Sequence, residues 1–96
     1  MAHASISSDI VARYAADAAL DVPGVRSLAD GRLPTQRGVR VSEEEGRVVV
    51  ELHLLLEWEA SIPAVCRAVQ ARVRECLARM IDLEPSAVDV VVDGLG

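Results

Sequence analysis

Residues 39–57 read VRVSEEEGRVVVELHLLLE, and this stretch decides the fold because its apolar residues recur at every second position on both sides of EEEG. Such alternation is typical of half-buried strands. We predict a hairpin in which Ser42 pairs with Arg47 around the four-residue turn 43–46. That register gives two valine pairs across the strands, Val41 with Val48 and Val39 with Val50. Both strands then place their valines on one side of the sheet.

A helix is predicted before the hairpin. Ser7 or Ser8 can cap it, and its helical spacing of apolar residues continues to about Leu20. Pro23 and Gly24 then stop it, and a short strand over 25–28 follows. Residues 29–38, ADGRLPTQRG, have no periodicity and are predicted to form a mobile loop.

The second predicted helix covers SIPAVCRAVQARVRECLARM, residues 61–80, with Ser61 as its N-cap and Pro63 in its first turn. Its apolar positions form one stripe along the helix, Ile62, Cys66, Val69, Val73, Cys76 and Met80. Ten residues along a helix is a rise of about 15 Å, so the two cysteines cannot bridge each other within it. We predict that both serve as core residues.

A last strand is predicted over 88–93, where Val88, Val90 and Val92 alternate with Asp89, Val91 and Asp93. The order α-β-β-β-α-β predicts an α+β fold, a two-layer sandwich in which two helices pack on one face of a four-stranded sheet. We expect one domain over residues 1–96, with 1–5 disordered. The strand order stays open.

The charge of the chain weighs against two classes of partner. Its net charge is −5, so phosphate backbones and anionic lipid headgroups repel it, and we predict no nucleic-acid binding. No apolar run is long enough to span a membrane, and the N-terminus lacks the features of a secretory signal. We therefore expect a cytoplasmic protein without direct membrane insertion, whose cysteines are reduced.

Two surfaces are candidates for binding a partner. The sheet face away from the helices carries aliphatic residues among charged ones, which suggests self-association or a covered surface, or is simply the mixed face normal for a lone sheet. Its candidates are Val49, His53, Leu55 and Val91. The second helix carries a basic surface suited to an acidic partner or to plain solvation, formed by Arg67, Arg72, Arg74 and Arg79.

The strand around His53 allows a metal-site hypothesis. Glu51 and Glu57 share its side of the strand, but successive outward positions lie about 7 Å apart, too far for one ion to reach all three residues. A solvated histidine is the alternative.

Trp58 ends the strand just before the second helix, where we expect it to close the core. Catalytic motifs of the GxGxxG, Walker, HExxH and GxSxG types are absent, so the sequence predicts no catalytic residue, no cofactor and no enzyme.

The layout from Ile6 to Leu95 resembles the alkaline shock protein family of bacterial general-stress and envelope-stress proteins. The matching segments are IVARYAADAALDVPGVRSL, GVRV, EEGRVVVELHLLLEW, SIPAVCRAVQARVRECLARM and AVDVVVDGLG. Family features fall on Gly24-Val25, Gly38 to Val41, Trp58, Ile62, Val69-Gln70 and Val88 to Gly94. The chain departs from the family pattern where Glu59 replaces a glycine and Ile81-Asp82 replaces a Thr-Gly.

The resemblance implies a non-enzymatic cytoplasmic protein that acts in stress and cell-envelope homeostasis. It also implies self-association and a protein partner, which can be a membrane-anchored family member that holds the chain near the membrane. No catalytic residues come with the resemblance. The alternative hypothesis is a small regulatory domain that binds a ligand or a metal through the exposed sheet face around His53.

Overall fold

The computed structural model describes residues 7–29 and 38–96. Within them lie six elements, α1 (Ser8–Leu20), β1 (Val25–Leu28), β2 (Val39–Glu44), β3 (Arg47–Leu56), α2 (Ile62–Ile81) and β4 (Ala87–Leu95). The order α-β-β-β-α-β confirms the predicted fold class. The predicted disorder of residues 1–5 and most of the predicted loop 29–38 lie outside the described residues.

Helix α1 begins where the sequence places a cap. Ser7 is the N-cap, and its Oγ accepts a hydrogen bond of 3.1 Å from the backbone N–H of Asp9. After the helix the chain turns at Gly24, which has a φ of +99° and packs against α2. A Cβ at this position would lie 2.7 Å from Cγ2 of Val65, so glycine is what lets the turn approach the helix closely.

Strand β3 is the centre of the sheet. It pairs antiparallel with β1 and with β2, and parallel with β4, so the sheet is mixed. β1 pairs with the end of β3 and β2 with its beginning, so these two short strands lie end to end along one edge. His53 lies at their junction: its C=O accepts from the N–H of Ala29 at 2.8 Å, and its N–H donates to the C=O of Gly38 at 2.7 Å.

The hairpin of β2 and β3 is present, but the predicted register is wrong by two residues. Glu44 rather than Ser42 pairs with Arg47. The turn consists of Glu45 and Gly46 alone, with φ values of 53° and 80°. Positive φ at both central residues is the geometry of a type I′ turn. The backbone twist of this turn matches the right-handed twist of the two strands that it joins. Because the slip is an even number of residues, every side chain keeps its predicted face.

Helix α2 covers the predicted face but buries a shorter stripe than predicted. Its buried residues are Val65, Val69, Val73 and Leu77. Ile62 and Met80 were predicted in the core and are 40% and 51% exposed, because they stand in the first and last turns. Cys66 and Cys76 are half-buried at the margins of the stripe, so the prediction that they belong to the core is only partly right.

The two helices pack side by side on one face of the sheet. The alternating residues of β3 on that face are completely buried, Val50, Leu52, Leu54 and Leu56. They form one continuous core with the inner faces of α1 and α2 and with Val88 of β4. The other face of the sheet is covered by neither helix. In the part of the chain that the structure describes, this second face carries no helix, and we call it the open sheet face.

Candidate functional site

The open sheet face carries the candidate residues that the sequence placed there. Val49 and Leu55 of β3 are half-buried, and Val91 of β4 is 38% exposed. Leu55 lies over Gly94, where a Cβ would come within 3.3 Å of its Cδ2. These aliphatic side chains lie among charged ones, so the face is neither a dry apolar patch nor a uniformly charged surface.

His53 stands at the centre of the open sheet face between two carboxylates. Its Nε2 lies 2.6 Å from Oε2 of Glu51, two residues away on the same strand. Its Nδ1 lies 3.3 Å from Oδ2 of Asp93 on β4. We call these three residues the His53 cluster. The side chain of His53 remains 34% exposed, so it is partly solvated, but it also contacts two carboxylates, one of which comes from the neighbouring strand rather than from β3.

The position of Asp93 depends on an irregularity in β4. Leu54 pairs with Val92, but Leu55 pairs with Gly94, so Asp93 is the extra residue of a β-bulge. The bulge brings the Asp93 carboxylate beside His53. Neither the neighbour of β3 nor the bulge can be read from the alternation of residues, so no sequence signal identified this contact.

The surroundings of His53 favour its charged form. The hydrogen bond to Glu51 raises the pKa of His53 above its ordinary value of 6.5, burial opposes that rise, and Asp93 adds to it. With both ring nitrogens beside carboxylates, the imidazolium can donate two charge-assisted hydrogen bonds. The cluster therefore stabilises a positive charge on His53 at the open sheet face.

The geometry of the His53 cluster does not suit a metal ion. Glu51 and Asp93 lie against different nitrogens of the imidazole, so one ion bound to either nitrogen cannot also reach the carboxylate at the other. Among residues 7–29 and 38–96, no group of three or more histidine, cysteine or acidic residues has the arrangement of a metal site.

The four candidate arginines of α2 divide by their contacts. Arg72 forms an ion pair with Asp21, the C-cap residue of α1, and thereby ties the two helices together. Arg74 donates a hydrogen bond of 3.0 Å to the C=O of Pro85, just before β4. Arg67 and Arg79 are exposed at opposite ends of the helix. The basic surface is therefore partly structural, because Arg72 and Arg74 contact other parts of the fold.

Trp58 does not close the core as predicted: it is 74% exposed. The chain turns tightly after β3, with the N–H of Ala60 donating to the C=O of Glu57 at 3.0 Å. Ala60 packs against the core at the start of α2, whereas Trp58 occupies the corner of the turn.

The surroundings of the two cysteines do not activate their thiols. Burial raises the pKa of the Cys66 thiol, which lowers the fraction of reactive thiolate at neutral pH. The Cys76 thiol lies 3.7 Å from the C=O of Tyr14 across the interface between the helices. These contacts favour a packing role for both cysteines over a reactive one.

Neither helix in the described part of the chain is both long and apolar enough to cross a membrane.

Known structures share the fold of this chain. A MamM CTD variant matches with a TM-score of 0.68 at 18% identity, covering 94% of this chain and 83% of that one. A MamM CTD variant in its manganese form matches with a TM-score of 0.67 at 21% identity, covering 92% and 99% of the two chains. A third variant of MamM has a TM-score of 0.65 at 16% identity, covering 96% of this chain and 100% of that one. Identities this low establish the fold alone.

The sequence itself gives a more specific result. The comparison with curated proteins finds no match. A family model, in contrast, matches residues 1–96, which is the whole chain, and its description states a cell envelope-related function. The order of elements agrees with the segments on which the resemblance was based. The chain belongs to the alkaline shock protein 23 family.

Proposed function

We propose that this chain is a non-enzymatic protein of the cell-envelope stress response that acts by self-association and by binding a protein partner. Membership of a family with a cell envelope-related function supports the proposed role in the cell envelope. The open sheet face supports the mode of action, because α1 and α2 both pack on the opposite face and, among residues 7–29 and 38–96, no helix covers it. This face, with aliphatic residues among charges, is the observation that carries the proposal.

The accessible arginines of α2 give the partner a chemical character. Arg67 and Arg79 are exposed positive charges on a protein whose net charge is −5. An acidic surface on the partner fits them best. A partner with transmembrane segments would hold the chain, which we propose to be cytoplasmic, at the membrane.

Affinity recovery from native cells, separated into soluble and membrane fractions, tests this proposal. We expect the tagged chain to recover one specific protein, enriched in the membrane fraction. Arg67→Glu should lose that protein, and Arg13→Glu should keep it, because Arg13 is an exposed arginine on α1 rather than on α2. Equal recovery by both variants would contradict the role of α2. If neither fraction yields a partner and the chain stays monomeric when concentrated, the proposal is wrong.

A second candidate function is binding of a small ligand or a metal at the open sheet face. The His53 cluster favours it, because three ionisable side chains converge there. Glu51 and Asp93 lie beside different ring nitrogens of His53, and this arrangement weighs against a metal ion bound by all three residues. A melting temperature raised by one member of a panel of metals and metabolites would support this function, and an unchanged melting temperature across the panel would contradict it.

A further inference from the structure

Strand β2 has one edge paired and the other open. In the part of the chain that the structure describes, β2 pairs with β3 alone, and β1 lies beyond its end rather than beside it. The N–H of His53 donates to the C=O of Gly38, so even-numbered residues of β2 turn their backbone groups toward β3. The N–H and C=O groups of Val41 and Glu43 therefore point away from the sheet, and an unpaired edge of this kind is a template for a further strand.

The charges on β2 follow a definite order. On the open sheet face Arg40 lies opposite Glu51 of β3, and Glu44 lies opposite Arg47. Ser42 lies midway between Arg40 and Glu44. The strand thus carries a positive charge and a negative charge at equal distances from one small polar residue, so its outer edge is complementary to itself when a second strand runs antiparallel.

We propose that two copies of this chain pair through the outer edges of β2, antiparallel, about a twofold axis at Ser42. This proposal rests on the self-association in the proposed function and names its surface. Arg40 then lies opposite Glu44 of the second copy, and Glu44 opposite Arg40 of the second copy. Across the joined sheets a row of side chains alternates in sign, from Glu51 through Arg40 to Glu44 and Arg47 of the second copy, and symmetry produces that row twice.

The backbone agrees with the same register. With the axis at Ser42, the outward-pointing Val41 lies opposite Glu43 of the second copy, so both can exchange N–H···O=C bonds. An axis at Val41 would place Arg40 opposite Ser42 and would leave its charge without a partner. An axis at Glu43 would place two like charges directly opposite each other. Only the axis at Ser42 satisfies both the hydrogen bonds and the charges.

Complementary charge reversals test the proposal. Arg40→Glu leaves two acidic residues opposite each other at each pair, and Glu44→Arg leaves two basic ones. In a mixture of the two variants, both pairs are again of opposite sign. Sedimentation velocity at about 0.15 M salt, which screens the long-range repulsion between acidic copies, should show self-association of the wild-type chain. Each variant alone should associate at least about tenfold more weakly, and the mixture should return to the wild-type level.

The outcomes distinguish a failure of pairing through β2 from a failure of self-association as such. Wild-type association with both variants unaffected, or a mixture no better than its components, overturns pairing through β2 and leaves the proposed function standing. A wild-type chain that stays monomeric at every concentration overturns both. Circular dichroism and urea unfolding of each variant establish that it folds, because each reversal also changes a pair with β3.

A cysteine at the proposed axis provides a second test that leaves the charges intact. Cα atoms of a non-hydrogen-bonded antiparallel pair lie about 4.5 Å apart, inside the range of roughly 4.4–6.8 Å that a disulfide allows. Ser42→Cys should therefore form a disulfide-linked dimer when treated with diamide. Ser86→Cys is the matched control, an exposed serine before β4. If Ser42→Cys yields no more dimer than Ser86→Cys, the axis is not at Ser42.

Discussion

Gly38 and Gly46 offer a matched test of how the sheet is built. Both have positive φ, +77° and +80°, so alanine is strained at either position. Their surroundings differ. A Cβ at Gly38 would lie 2.6 Å from the C=O oxygen of Ala29 and 3.0 Å from that of His53, whereas nothing lies within 4 Å of a Cβ at Gly46. The pair therefore separates the cost of backbone conformation from the cost of crowding.

The expected magnitudes follow from these distances. A left-handed conformation costs alanine about 1–2 kcal/mol, and the loss of flexibility in the unfolded chain returns about 0.4–1 kcal/mol. Gly46→Ala should therefore reduce the free energy of unfolding by about 1 kcal/mol. Gly38→Ala must in addition displace backbone that forms two hydrogen bonds with His53, each contributing about 0.5–1.5 kcal/mol. Its total cost should be about 2–4 kcal/mol.

Urea unfolding followed by circular dichroism measures both free energies of unfolding on the full chain. Equal slopes of the transitions would show that the two variants unfold from equally compact states. If Gly38→Ala costs no more than Gly46→Ala, the close junction of β1, β2 and β3 at His53 does not exist as described.

Three further predictions concern single side chains. Ser7→Ala should reduce the free energy of unfolding by about 1 kcal/mol because Ser7 caps α1, whereas Ser61→Ala should change it little because the Ser61 side chain forms no cap hydrogen bond; equal costs would contradict this. Because the pKa of His53 is raised by folding, its contribution to stability is full below about pH 6.5 and is lost as the pH rises through the folded-state pKa. His53→Gln should therefore destabilise the chain more at about pH 5.5 than at about pH 8.5 in urea unfolding, and a difference that grows with pH would refute the described cluster. Trp58 is the only tryptophan, so fluorescence of the folded chain should resemble that of tryptophan in water and be quenched by acrylamide; a protected, blue-shifted emission would contradict its exposure.

The layout of the fold could be predicted because period-two and helical spacing are local properties of the sequence. The valines and leucines of β3 define its buried face, and the cap at Ser7 defines the start of α1. The hairpin shows the limit of this reasoning. Alternation fixes which face of the sheet each residue takes, but it does not distinguish hairpin registers that differ by two residues. The register is set by the two-residue turn, in which Glu45 and Gly46 adopt left-handed conformations.

The candidate site was less predictable because it depends on contacts between strands. Val49, Leu55 and Val91 share the open sheet face as expected, since alternation assigns faces. The His53 cluster could not be predicted, because Asp93 reaches His53 only through the parallel pairing of β4 and its bulge. Trp58 was misplaced for a related reason: the tight turn after β3 lets Ala60 rather than Trp58 pack against the core.

Sedimentation equilibrium of the wild-type chain over a wide concentration range tests self-association most directly. The account predicts a weight-average mass that rises with concentration from the monomer mass of 10.3 kDa toward twice that value. A mass that remains at 10.3 kDa at the highest concentration would contradict the proposed mode of action.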